Sequence, residues 1–327
     1  MSTTALTGES PAARALAGVV RDPAASREAR LDAGQCLART GDQRRGVLTL
    51  EPHWCAVPAG AFLMGSSPAD AEAFDREMPQ HFFVLPAFAT AKYPVTNGQW
   101  RRFVDDDGYR VSAWWPPTGW RVREAFGWER PRRWSDTEWA GNEANRPVTG
   151  VSWYEALAFS AWLSSRLGYQ VDVCTEAEWE KSARGVDGRR YPFGDELDPQ
   201  RLHACTTAPS WTDAPAPVGC DPGGASPWGV EDMVGNTYAW TRSRWGSCEE
   251  APAFAYPYQC GDGREDLDSD DFRVVRGGAW RFPLQNARCG YRGKDRPADA
   301  FDNLGVRLVT RAWTGLDGGQ DLQRSST

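Results

Sequence analysis

Residues 276–309, RGGAWRFPLQNARCGYRGKDRPADAFDNLGVRLV, join two kinds of sequence. The ends, RGGAW and NLGVRLV, have the look of fixed scaffold, with glycines for tight turns and arginines that need set partners if buried. The middle strings Phe282, Leu284, Gln285, Lys294, Asp295 and Phe301 together with neither helical nor strand period. Such a segment, held between two scaffold motifs, is a loop that carries function or a loop that has drifted.

Outward from this stretch the composition is that of a loop-rich globular chain. Among 327 residues, 41% are hydrophobic and 25% charged, while Gly 33, Pro 23 and Trp 17 call for many turns and a large, irregular core. The net charge of −7 and the lack of a Lys/Arg stripe weigh against a nucleic-acid partner. No apolar run reaches signal-peptide or membrane-span length, so a cytoplasmic protein with no membrane partner is expected. The eight cysteines show no metal-ligand spacing; free thiols are expected, with disulfides among Cys205, Cys220, Cys248 and Cys260 left open.

Residues 11–40 have apolar positions at helical spacing (Ala12, Leu16, Val20; Ala29, Ala33, Leu37). Two short helices follow, with Asp22 as candidate N-cap and Pro23 at the first turn of the second. Thr96, Ser152 and Thr175 are each followed three residues later by Gln or Glu, the capping-box spacing, and Gly108, Gly168 and Gly185 mark expected C-terminal caps. Between the first two of these helices, the Trp- and Pro-rich run 114–151 is expected to be a long packed loop without a regular element. The division expected is a helical segment over 1–50, one domain over 51–312 and a disordered tail over 313–327.

In order along the chain come VPAGAFLMGS, EMPQHFFVLPAFATAKYPVTNGQWRRFV, RPVTGVSWYEALAFSAWLSSRLG, TEAEWEKSARG, YPFGDE, ASPWGVEDMVGNTYAW, VVRGGAW and NLGVRLV. This series, over about residues 54–311, resembles the formylglycine-generating enzyme (sulfatase-modifying factor) family. The resemblance implies an irregular, loop-rich α+β domain with a C-type lectin-like fold, here preceded by a short helical segment. It does not settle function, because such members include copper-dependent oxidases of a sulfatase cysteine, iron-dependent sulfoxide synthases and non-catalytic binding proteins, among them retroelement-diversified variable proteins.

The formylglycine chemistry implied by the family uses two thiols five residues apart, soft ligands suited to Cu(I). Phe282 stands at the first position and Asn286 or Ala287 at the second; Ala279 replaces the usual serine, and Cys289 is a single thiol in the segment. His53, His81 and His203 are not spaced as an iron triad. The calcium loop of the family resembles GNTYAW, but Ala239 stands where a carboxylate is usual and His203 where an asparagine is expected, although Asn236 is present. No cofactor is therefore expected, structural Ca²⁺ being the ion left open.

On this basis a ligand-binding module without catalysis is expected, its partner a protein, its surface formed by Trp280, Arg281, Phe282, Leu284, Gly293, Lys294, Asp295, Arg296, Asp299 and Phe301. Residues 281, 282, 284, 293, 295, 299 and 301 are all reachable by adenine-directed mutation of an Asn codon, as a variable protein requires, whereas Trp280, Gln285 and Lys294 would have to be fixed. The alternative is an oxygen-dependent metalloenzyme, a formylglycine-generating-like oxidase or a related non-haem iron enzyme, using the same cavity with Cys289 or unassigned ligands.

Overall fold

A computed structural model describes residues 10–136, 140–204 and 214–312. The elements in chain order are α1 (Pro11–Arg21), α2 (Arg27–Thr40), β1 (Trp54–Val57), β2 (Gly60–Met64), β3 (His81–Leu85), β4 (Phe88–Ala91), α3 (Asn97–Asp105), α4 (Pro117–Phe126), α5 (Trp153–Leu167), β5 (Asp172–Val173), α6 (Glu176–Arg184), β6 (Tyr238–Gly246), β7 (Phe272–Arg276), β8 (Gly293–Asp295), β9 (Leu304–Val306) and β10 (Leu308–Thr310). Short strands and long connections make an α+β fold of the irregular kind expected.

Local chemistry starts the main helices. Thr96, Ser152 and Thr175 each accept the backbone N–H three residues on, and Gln99, Glu155 and Glu178 reach back to the N-cap N–H, so α3, α5 and α6 all open on complete capping boxes. The C-terminal ends follow the expected glycines less closely. Gly168 takes the left-handed conformation after α5, but α3 ends earlier, on Asp106, with Asp107 at positive φ. Helix α2 begins after Ser26 rather than Asp22, whose carboxylate instead accepts the Ala24 N–H in a turn. The run from 114 holds a regular element after all: α4 starts with Pro117 in its first turn, where a missing N–H costs nothing, and ends on Gly127 at φ 63°.

Three sheets assemble around these helices, in the orders β1-β4-β10-β5, β2-β3 and β8-β7-β6-β9. In the third, β6 pairs antiparallel with β7 and parallel with β9, so strands from residues 238 to 306 form one surface. The largest core cluster lies between α3, α5 and the sheets and absorbs much of the tryptophan content: Trp100 stacks on Phe159 at 4.6 Å, and Trp153 and Trp240 donate indole N–H groups to the carbonyls of Thr241 and Val151.

Helices α1 and α2 form a hairpin docked on the segment around 214–221. Ala13, Ala17 and Val20 pack with Leu31, Ala33, Leu37, Ala216 and Cys220. Arg27 pairs with Asp221 at 2.9 Å, and Gly34 approaches so closely that an added Cβ would lie 2.8 Å from the Cys220 sulfur. The following segment is woven into the main body, with Val47 fully buried and its carbonyl accepting the Thr96 hydroxyl. Cys220, Cys248 and Cys260 are free thiols; Cys205 and the tail over 313–327 lie outside the described residues. Among the described residues, no helix is long and apolar enough to cross a membrane.

Candidate functional site

The RGG motif ends β7 and fixes the loop that follows it. Arg276 is fully buried and holds Glu176 (3.0 Å) and Glu180 of α6, while also donating to the carbonyl of Cys289 at 2.7 Å. Arg292 binds the same Glu176 at 2.6 Å, and Arg288 binds Glu77 at 2.7 Å. Three buried guanidiniums thus clamp both ends of 276–292 to α6 and to the turn before β3. Paired in this way they avoid the cost of isolated buried charge and leave the loop little freedom.

This frame borders a cavity of about 380 Å³. Tyr238 of β6 and Val275 of β7 are among its lining residues, with Phe282, Tyr291, Arg292 and the strand β8 residues Gly293, Lys294 and Asp295. Arg76, Trp245, Glu249, Glu250, Arg281, Phe301 and Asn303 complete the lining. The rings of Tyr238 and Phe282 meet edge to face at 5.2 Å, and Asn286 donates to the Tyr238 hydroxyl at 2.7 Å. Burial, then neighbouring Tyr291, pushes the Tyr238 phenol above its usual range, so it stays protonated.

The charges on the walls are unevenly matched. Arg281 is neutralised by Asp302 at 2.9 Å and Arg292 by Glu176, whereas Lys294 reaches Glu249 only at 3.6 Å. Arg76 donates its Nε–H to the Arg292 carbonyl and lies 4.1 Å from the Phe74 ring centre; among the described residues it has no carboxylate partner. Asp295 likewise has no ion pair among them. Burial, with Asp299 and Glu249 nearby and only Lys294 opposing, raises its carboxyl to about 7. One cavity therefore presents an unmatched cation and an unmatched, proton-poised acid.

The ten residues singled out from sequence separate here. Arg281, Phe282, Gly293, Lys294, Asp295 and Phe301 line the cavity, and Phe301 is 40% exposed. Trp280 does not line it and is buried; Leu284 packs on the second core cluster. Arg296 stacks over Phe272, and Asp299 accepts the Arg296 N–H in a turn. Trp245, Glu249, Glu250, Tyr238 and Arg76 line the cavity without having been picked out. They come from segments outside 280–301 and carry no local signal: the pairing of β6 with β7 brings Tyr238 and Trp245, and the bond of Arg76 to the Arg292 carbonyl brings Arg76. Tyr291, Arg292 and, from the NLGVRLV end, Asn303 serve as wall as well.

A copper or iron ion does not fit the described residues. Phe282 occupies the cavity wall where the first thiol would be needed; of the two candidates for the second, Asn286 donates to the Tyr238 hydroxyl and Ala287 is completely buried. Cys289 is buried too, its thiol pushed up to about 12 chiefly by that burial, so it is an inert thiol. His81 is spent on the Pro79 carbonyl and the Tyr258 N–H, and His203 on Arg27 and the Ala214 carbonyl. No group of three His, Cys, Asp or Glu residues among the described ones converges as a metal site. Asn236, considered for calcium, uses its side chain on both backbone groups of Ala216.

Hercynine oxygenases from Mycolicibacterium smegmatis and Mycobacterium tuberculosis are 35% and 37% identical over 77% and 76% of the chain. The chain spans 60% and 58% of their lengths. The inactive Cα-formylglycine-generating enzyme 2 of Bos taurus is 29% identical over 78% of the chain and 87% of its own length. Among solved structures, PvdO from Pseudomonas aeruginosa has a TM-score of 0.60 at 23% identity, over 80% of this chain and 95% of that one. Treponema denticola variable protein 1 has 0.56 at 18%, over 79% and 94%. These two share the fold, the C-type lectin-like architecture expected from sequence.

The comparisons overturn the expectation of a non-catalytic, protein-binding module. Similarity to the variable protein is confined to the fold, while the relatives near 36% identity are enzymes, which favours the alternative of an oxygen-dependent metalloenzyme. The expectation failed because Phe282 rules out one thiol-based chemistry, not the use of the cavity by another. Enzymes and inactive members both occur among the relatives. The sulfatase-modifying factor enzyme 1-like domain matches residues 43–312, and the chain belongs to that family.

Proposed function

We propose that the cavity beside the RGG frame is the substrate site of an oxygen-dependent oxidoreductase related in activity to the hercynine oxygenases, and that its substrate is derived from an amino acid. The observation that carries this reading is the unmatched pair on the walls, Arg76 and Asp295. A substrate carboxylate answers the first and a cationic nitrogen the second. Tyr238, Phe282 and Tyr291 supply aromatic surface between, which suits a quaternary or protonated amine as well as a ring. Hercynine, a betaine carrying an imidazole, has all three features.

An oxygen-activating metal would supply the redox chemistry, and the described residues do not form a site that holds it. The residues here would bind and orient. Arg76 holds the carboxylate, Asp295 in its ionised form holds the cationic nitrogen, and the protonated Tyr238 hydroxyl is fixed by Asn286 where it can donate a proton. The clamps at Arg276, Arg288 and Arg292 keep these groups in place.

The test is oxygen uptake by the full polypeptide with Fe(II) or Cu(I), hercynine and a cysteine-type thiol, the consumed substrate being followed by mass spectrometry. Arg76→Gln and Asp295→Asn are each expected to lower kcat/KM by about tenfold to a hundredfold, the worth of one charge-assisted contact. Metal- and substrate-dependent uptake unchanged in both variants would refute the assignment, as would no uptake with either metal.

A further inference from the structure

We propose that a second hollow, separate from the cavity, binds a small planar anion of the aromatic carboxylate class. It encloses about 230 Å³ and is lined by Phe126, Trp128, Arg130, Arg132, Gly150, Glu155, Ala298 and Ala300. The two sites share one segment: Asp295 and Phe301 line the cavity, while Ala298 and Ala300 line the hollow. That segment is pinned by the Gly150 N–H on the Phe301 carbonyl and the Trp153 N–H on the Pro297 carbonyl, so the hollow has a fixed wall.

Three features specify the ligand. First, Phe126 and Trp128 stack with centroids 5.7 Å apart and planes 14° from parallel, and Phe126 leaves 68% of its surface exposed. An apolar shelf of this size turned toward a hollow gains by being covered with another flat group. Second, Arg130 and Arg132 both line the space without a committed acid. Arg130 bonds Ser135 at 3.2 Å and lies 4.0 Å from the exposed Glu129, and Arg132 makes no ion pair within 4.0 Å among the described residues, its charge being felt by Glu155. Planar guanidiniums bind carboxylates in a fork.

Third, the remaining polar group is already spent. Glu155 accepts the Ser152 N–H at 2.7 Å and the Tyr109 hydroxyl at 2.5 Å, completing the cap of α5, and burial raises its carboxyl to about 7, which reduces the negative charge it sets against the ligand. The side chains of Ala298 and Ala300 are small enough to leave room for one ring, and Gly150 at φ 70° brings the Arg132 carbonyl within 2.6 Å of where a Cβ would stand. The volume admits a single ring bearing one acidic substituent, below the size of ordinary cofactor sites. This inference does not rest on the oxidoreductase reading, and either can fail without the other.

Benzoate is the probe, titrated into the full chain by calorimetry and by Trp emission, with cyclohexanecarboxylate, benzyl alcohol and inorganic phosphate as comparators. Saturable one-site benzoate binding is expected, weaker by about tenfold or more in the Arg130→Gln/Arg132→Gln double variant, from loss of two charge-assisted contacts. Both arginines are exposed, so the variant keeps the fold, which an unchanged urea midpoint verifies. Cyclohexanecarboxylate and phosphate are each expected to bind several-fold more weakly, since neither can stack, and benzyl alcohol not to saturate. Failure of benzoate to saturate at millimolar concentration, or equal binding by the double variant, overturns the site. Phosphate binding as tightly as benzoate overturns the ligand class.

Discussion

Replacing Asp295 with Asn should stabilise the protein above neutral pH while weakening substrate capture. Burial together with Asp299 and Glu249 raises this carboxyl to about 7, against only Lys294 in the other direction. An unfolded aspartate loses its proton near pH ~4, so between about 4 and about 7 the folded form holds a proton that the unfolded form has released. Stability therefore falls as pH rises across that window and levels off above it. A rise from about 3.9 to about 7 corresponds to at most about 4 kcal/mol; Asp295 keeps partial contact with solvent, which reduces this to roughly 1–2 kcal/mol. Asn is isosteric and uncharged, so Asp295→Asn should match the parent near pH ~4 and exceed it by about that amount near pH ~8. With a urea slope of about 2–3 kcal/mol per molar, the midpoint moves by roughly 0.5 M. Parallel curves for parent and variant from acid to alkaline pH would refute the reasoning. The gain is the counterpart of function: a cationic substrate group would relieve the same burial cost on binding.

Two further outcomes follow from the buried groups. Arg276→Met should cost about 3–5 kcal/mol in urea unfolding, the range for removing one partner of a buried ion pair. The lower end is favoured because Glu176 keeps Arg292 and Glu180 keeps Arg184; a loss under about 1 kcal/mol would mean the clamp holds nothing. In native alkylation followed by peptide mass mapping, Cys36, Cys248 and Cys260 should label quickly, and Cys55, Cys174, Cys220 and Cys289 only on unfolding. Rapid labelling of Cys289 would contradict its burial and reopen a thiol role.

The helix starts were legible because a capping box is a matter of four consecutive residues, and Thr96, Ser152 and Thr175 each supply one. Helix α4 was missed for the opposite reason. Its prolines and tryptophans suggested irregularity, but Pro117 sits where a helix tolerates proline and the apolar rings pack against α5, a tertiary matter. In the site, Phe282, Lys294, Asp295 and Phe301 could be found by their odd company in the C-terminal loop. Trp280, from the same stretch, turns into the protein interior, and nothing in a segment without period says which way a side chain points.

The sequence by itself determined the family, through eight ordered motifs, and the absence of the paired thiols at Phe282 and at Asn286 or Ala287, because identity at a position needs no coordinates. Only the tertiary structure decided that Arg76 and Asp295 face one cavity, that Asp295 shares its proton range with physiological pH, and that Arg130 and Arg132 flank a separate aromatic shelf. The physical reason is that hydrogen bonds of caps and turns are encoded within a few residues. Convergence of charges and loss of solvent depend on which distant segments meet, here β8 with β7 and Arg76 with the Arg292 carbonyl.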